Sequence, residues 1–195
     1  SLSNMEILWC YNNQLTSLNL TGAMSSFHEL NCSTNQLTAL NIPTLVNLSI
    51  LRCGNNLLTS VNTTNLLNLK TYDCDYNQMT TLNVTGLPML EYLSCTYNQL
   101  TSLNVANLAN LKGLGCNNNL LTAIDFTGLT SLTGLNFSYN AFPTADLSAI
   151  PNLKEASVHH NQLTSLNLNG LVNLEQLLCM NNLLTSLNVS GLTSL

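Results

Sequence analysis

Charge is what this chain has least of. Of its 195 residues only four are Lys or Arg and nine are Asp or Glu, for a net charge of −5. The basic residues Arg52, Lys70, Lys112 and Lys154 are scattered along the chain. Nucleic-acid backbones are bound by clustered cations, so the composition excludes nucleic acid as an expected partner. Long apolar runs are missing too, and no window approaches the roughly 18 residues that a membrane-spanning helix needs. No basic, apolar and small-residue leader opens the sequence.

The residues of reaction chemistry are equally thin. There are three histidines, two of them adjacent as His159 and His160. Successive strand residues point to opposite sides, so these two are not expected to share an ion. Asp73 and Asp75 fall on one face, but two carboxylates are short of the roughly six oxygens that calcium takes. No serine, histidine and acid fall into a converging pattern. The expectation is a non-enzyme with no cofactor and no metal.

Low charge often accompanies disorder, but disorder also requires few large apolar residues. Here 45% of the chain is hydrophobic. The leucines recur in a pattern shown by Leu90 to Asn110, LEYLSCTYNQLTSLNVANLAN, which reads L-x-x-L-x-C-x-x-N-x-L-T-x-L-N-V-x-x-L-x-N. Aligned on its first asparagine, the repeat gives Asn13, Asn35, Asn56, Asn77, Asn98, Asn119, Asn140, Asn161 and Asn182, every step being 21 except a first step of 22. A fixed period in this range with this spacing predicts a leucine-rich repeat solenoid, right-handed and curved. The extra residue falls in Thr21 to Ser26, and an insertion there maps to an outer loop. About nine units should stack into one domain spanning 1–195. Both ends fall in mid-repeat without polar caps, as expected of a piece of a longer protein.

Within each unit the L-x-x-L-x-C run alternates, sending leucine and cysteine inward and the x residues outward. One strand per repeat builds a parallel sheet on the concave side, roughly 40 Å across nine strands. The return leg is too short and too rich in asparagine and β-branched residues for a helix. Extended or single 3₁₀ turns are expected on the convex side, with little or no α-helix. The recurrent asparagine should turn its carboxamide inward to satisfy backbone amides and carbonyls stranded by the turn.

All seven cysteines, Cys10, Cys32, Cys53, Cys74, Cys95, Cys116 and Cys179, take one template position, which Phe137 and Val158 fill in the other two units. A position that accepts Cys, Phe or Val is an apolar packing site. In-register strands hold Cβ atoms too far apart for disulfides, and a flat ladder gives zinc no converging ligands. Around Pro143 the template changes most: Phe137 and Phe142 enlarge two core positions while Ala145 shrinks a third. Compensated volume and a local bend at Pro143 are expected.

A 21-residue repeat with cysteine on the strand and N-x-L-T-x-L-N/D-V after it resembles the cysteine-ladder repeats of internalin-type bacterial proteins, the internalin J type in particular, and the leucine-rich repeat surface proteins of Bacteroidetes-like bacteria. The resemblance implies a secreted or surface-attached bacterial protein whose repeats bind another protein, from a host or a cell surface. Those families often carry aspartate where this chain has Asn104 and its counterparts; only Asp125 and Asp146 keep the acid.

The outward strand positions line the concave face, where solenoids offer their extended binding surface. Tyrosine, tryptophan and arginine dominate interface energetics. The candidate binding residues are Trp9, Tyr11, Arg52, Asp73, Asp75, Tyr92 and His159 on that face, with Tyr76, Tyr97 and Tyr139 recurring at its rim. Gly113, Gly115 and Gly134 should leave a glycine-floored dip beside them. Trp9 could equally have packed on a neighbouring unit, and the rim tyrosines could stack on each other for stability. The expected function is a monomeric, non-catalytic adhesion or recognition module. The alternatives are a structural spacer or stalk, and the recognition half of a bacterial effector.

Overall fold

A computed structural model describes residues 4–20, 25–42 and 44–195. Nine three-residue strands form one parallel sheet: β1 (Ile7–Trp9), β2 (Glu29–Asn31), β3 (Ile50–Arg52), β4 (Thr71–Asp73), β5 (Tyr92–Ser94), β6 (Gly113–Gly115), β7 (Gly134–Asn136), β9 (Glu155–Ser157) and β11 (Gln176–Leu178). Two more, β8 (Thr144–Asp146) and β10 (Ser165–Asn167), pair with each other on the return side. Neighbours are joined in register, so Leu93 of β5 lies between Tyr72 and Leu114. The chain is a leucine-rich repeat solenoid, with the large sheet as its concave face. There is no α-helix among the described residues, hence none long and apolar enough to cross a membrane.

The period of two decides what each strand residue does. The middle residues Leu30, Leu51, Tyr72, Leu93, Leu114 and Leu135 are buried, as are the ladder residues Cys32 to Cys116, Phe137 and Val158. Their neighbours in each strand stay partly or fully exposed. The seven cysteines are free thiols, with Cys10 and Cys179 half-buried. Burial pushes the thiols of Cys32 and Cys116 up to about 12, and those of Cys53, Cys74 and Cys95 well above the ordinary value. A ladder held protonated in this way is packing material.

The asparagine ladder closes each turn as its position requires. Asn98 Nδ2 donates to the carbonyls of Cys74, Cys95 and Thr96 at 3.0 to 3.2 Å. Its Oδ1 accepts the Met79 amide of the preceding unit at 3.0 Å. The same set recurs at Asn56, Asn77, Asn119 and Asn161.

The convex legs are, as expected, extended segments and single turns closed by bonds between residues three apart, such as Leu66 N–H to the Thr63 carbonyl at 3.1 Å and Leu69 N–H to the Leu66 carbonyl at 3.0 Å. Two other expectations change. Pro143 makes no special bend: it occupies a bend that Thr80, Thr101 and Thr122 also make. Its carbonyl accepts both the amide and the hydroxyl of Thr164. The volume around Ala145 is not compensated. Phe137 and Phe142 pack on each other, 4.5 Å between centroids, and leave a convex groove of about 340 Å³ lined by Ala123, Ile124, Phe126, Phe142 and Ala145. The insertion expected at 21–26 lies mostly outside the described residues.

Candidate functional site

The concave face begins with an exposed aromatic end. Ile7, Trp9 and Tyr11 stand out from the sheet, Trp9 with 61% of its surface exposed. Trp9 is nevertheless held: its Nε1–H donates to Glu29 Oε1 at 2.9 Å, and the same oxygen accepts from Arg52 Nη1 at 3.0 Å. Tryptophan, glutamate and arginine on three successive strands thus form one bridge. Register brings Trp9 beside Asn31 and Asn31 beside Arg52, so Glu29 reaches both partners diagonally.

Asp73 and Asp75 follow on the same face, and their carboxylates are taken up by the protein's own donors. Asp75 accepts Ser94 Oγ–H at 2.7 and 2.9 Å and the Thr96 amide at 2.6 Å. Asp73 Oδ1 accepts the Asp75 amide at 3.1 Å. Burial, with Asp75 close by, raises the Asp73 carboxyl above its ordinary value. Gly54 makes room for this pair, since a Cβ there would lie 3.0 Å from Asp73 Oδ1 and 3.2 Å from the Asp75 carbonyl. Among the described residues no three His, Cys, Asp or Glu side chains gather as a metal site.

Beyond them lies the dip, about 390 Å³, lined by Tyr92, Ser94, Gly113, Gly115, Gly134, Asn136, Glu155, Ser157 and Gln176. Each glycine has its own effect. A Cβ on Gly113 would lie 3.1 Å from Tyr92 Cδ1 and 3.6 Å from Cε1, so the missing side chain leaves room for that edge of the tyrosine ring. A Cβ on Gly115 would lie 3.3 Å from Ser94 Oγ, whereas on Gly134 it would meet nothing. The floor is therefore open at Gly134, between Tyr92 and Glu155.

The rim departs from the expectation of plain strand geometry. One residue before each ladder asparagine the backbone is left-handed: Asn12, Thr34, Asn55, Tyr76, Tyr97, Asn118, Tyr139, His160 and Asn181 have φ between 50° and 62°. Large side chains rarely adopt that conformation. Here the turn lines them up across repeats. Tyr76 stacks on Tyr97 with centroids 4.2 Å apart, and Tyr139 stacks on His160 at 4.1 Å. His159 meets the Tyr139 ring edge-on at 5.3 Å. The two histidines do not point apart as adjacent strand residues would. The left-handed turn at His160 brings their Nδ1 atoms within 2.8 Å of each other, one donating and the other accepting.

Of the residues singled out by sequence, Trp9 and Arg52 meet through Glu29, Asp73 contacts Asp75, Tyr76 stacks on Tyr97, and Tyr139 joins His159. Tyr11 stays on the exposed face, and Tyr92 walls the dip. Missed as site residues were Glu29, Glu155, Asn136 and Gln176. Their outward register was legible, but their chemistry depends on neighbours some 20 residues away.

A parallel solenoid of this period, with inward leucines, an asparagine ladder and a thiol ladder, is a leucine-rich repeat protein of the cysteine-ladder kind. It resembles internalin J: the functional domain of InlJ from Listeria monocytogenes, which includes a cysteine ladder, is 31% identical with a TM-score of 0.95 over 99% of this chain and 43% of that one. YopM, a leucine-rich effector protein from Yersinia pestis, is 28% identical with a TM-score of 0.79, covering 92% of this chain and 53% of YopM. TLR13 in its complex with ssRNA13 is 26% identical with a TM-score of 0.71, over 88% of this chain and 28% of TLR13. The chain thus spans about half the length of InlJ and YopM. No family model matches the sequence, and no curated protein does.

Proposed function

We propose that the concave sheet face is a protein-binding surface and that the chain is a non-catalytic recognition module, used in adhesion outside a bacterial cell. The observation that carries this is the face itself, where Trp9, Tyr11 and Tyr92 stand exposed beside an open dip. Side chains of these types carry most of the energy at protein interfaces. Its structural neighbours InlJ and YopM, a functional domain and an effector built of such repeats, support recognition as the use of the repeats. A nucleic-acid partner such as that of TLR13 is disfavoured by charge: Arg52 is the sole Lys or Arg among the outward strand positions, and Glu29 already holds it. Catalysis is disfavoured because the buried thiols are held protonated and so are poor nucleophiles.

The test is capture of a partner from the surface proteins of cells that meet the source bacterium, using the parent chain and the variants Trp9→Ala and Tyr92→Ala. A partner retained by the parent and lost by about tenfold or more from either variant supports the face. Capture undiminished by both variants, or no capture at all, favours a spacer.

A further inference from the structure

We infer that the glycine-floored dip between β5 and β9 is an anchor pocket for an arginine side chain of the partner, its guanidinium lying over Gly134 between the Tyr92 ring and the Glu155 carboxylate. This deepens the concave-face reading and rests on it. The first observation is shape. Three glycines remove the side chains from neighbouring outward positions; the edge of the Tyr92 ring fills the space beside Gly113, Ser94 and Thr96 crowd Gly115, and of the three only Gly134 has nothing within 4 Å of where its Cβ would be. The opening at Gly134 is one strand from Glu155 on one side and one strand from Gly113, beside the Tyr92 ring, on the other. With strands about 4.8 Å apart, a flat group seated there reaches both walls.

The second observation is charge. From β4 to β11 the outward positions carry Asp73, Asp75 and Glu155 and no Lys or Arg. The three ion pairs among the described residues are Arg52–Glu29, Lys112–Glu91 and Lys154–Glu175. Glu155 is in none of them, although Lys154 is its chain neighbour. Asp75 is fully engaged by Ser94 and Thr96. Glu155 is therefore the carboxylate of the dip left open to a partner.

The third is the kind of cation that fits. An aromatic ring and a carboxylate lining one dip suit an arginine side chain, whose planar guanidinium can contact the ring and pair with both carboxylate oxygens; an ammonium uses only the charge. The Ser157 hydroxyl and the Gln176 side-chain carbonyl, which also line the dip, offer further acceptors around the planar group.

The experiment uses the whole chain and three capped pentapeptides with arginine, citrulline or lysine between pairs of glycines, followed by amide NMR shifts at millimolar peptide. The arginine peptide should shift Gly113, Gly115 and Gly134. The neutral isostere citrulline should bind about tenfold more weakly or worse, with lysine in between. Glu155→Gln should weaken arginine binding about tenfold, and Gly134→Leu should abolish it while leaving the thermal melt unchanged. Equal binding of arginine and citrulline, shifts outside the dip, or full binding by the folded Gly134→Leu variant would each overturn the assignment. If the peptides fail while partner capture still depends on Tyr92, the occupant is wrong and the concave face stands. If neither depends on the face, the concave reading falls as well.

Discussion

Asn98 holds three carbonyls and one amide with a single carboxamide. Asn98→Ala leaves those groups buried and unpaired, and should cost about 1 to 3 kcal/mol in a urea melt. Tyr72 presents the opposite case. It takes a position that is leucine in most units and is fully buried, and its hydroxyl has no hydrogen-bond partner. Tyr72→Phe removes that uncompensated group, so it should raise stability by about 1 kcal/mol. Asp73 gives a pH test. Its folded carboxyl is raised above the ordinary 3.8 by burial, so the fold prefers it protonated. Stability that is fully present below 3.8 is lost as pH rises through the raised folded value. Asp73→Asn keeps the oxygen that accepts the Asp75 amide and has no charge to bury. It should be more stable than the parent at pH 7, with the difference vanishing below pH 3.8; a gain that persists at pH 3 would mean that packing, not charge, is the cause.

At the scale of the turn, each repeat pays for its left-handed residue differently. Asparagine tolerates that conformation, and four of the nine rim positions use it: Asn12, Asn55, Asn118 and Asn181. Thr34 does not, being β-branched at φ 55° and without an aromatic partner. Replacing an ordinary residue in this conformation relieves roughly 1 to 2 kcal/mol of strain, less what asparagine itself retains. Thr34→Asn should therefore stabilise by about 0.5 to 1 kcal/mol. The same change at Tyr97 should gain nothing, since it forfeits a stack on Tyr76 of about 0.5 to 1.5 kcal/mol. Paired thermal melts of the two variants decide this. These turns also mark where the sequence stops being readable. The strand, the inward ladder and the asparagine turn follow from a repeated spacing, which the chain states nine times. The left-handed backbone at Tyr76 and Tyr97 runs against the preference of those side chains. It is imposed by the stacked turns of neighbouring repeats, and this is why the His159–His160 contact could not be seen beforehand. The groove beside Ala145 was hidden for a similar reason, because ring-on-ring packing of Phe137 and Phe142 is decided in three dimensions.

At the scale of the molecule, a solenoid in which each turn touches only its neighbours should open from its outer turns inward. The outward row of residues was legible as a binding face, but the dip's walls needed the fold: the edge of the Tyr92 ring fills the space beside Gly113, and Glu155 lies two strands further on. The thiol ladder supplies a reporter for the opening, spaced one per turn from Cys10 to Cys116 and again at Cys179. Cys10 and Cys179 are half-buried and directly follow β1 and β11, strands that each pair with a neighbour on one side only among the described residues. The five between them are buried and held protonated by desolvation, Cys32 and Cys116 up to about 12. A buried thiol at pH 8 is then alkylated only when its own turn has opened to water. Pulsed alkylation read by peptide mass spectrometry should label Cys10 and Cys179 first, then Cys32, with Cys74 and Cys95 last. Alkylation of all five buried thiols at one common rate would show that the repeats open together, and that stability cannot be treated as a sum over neighbouring turns.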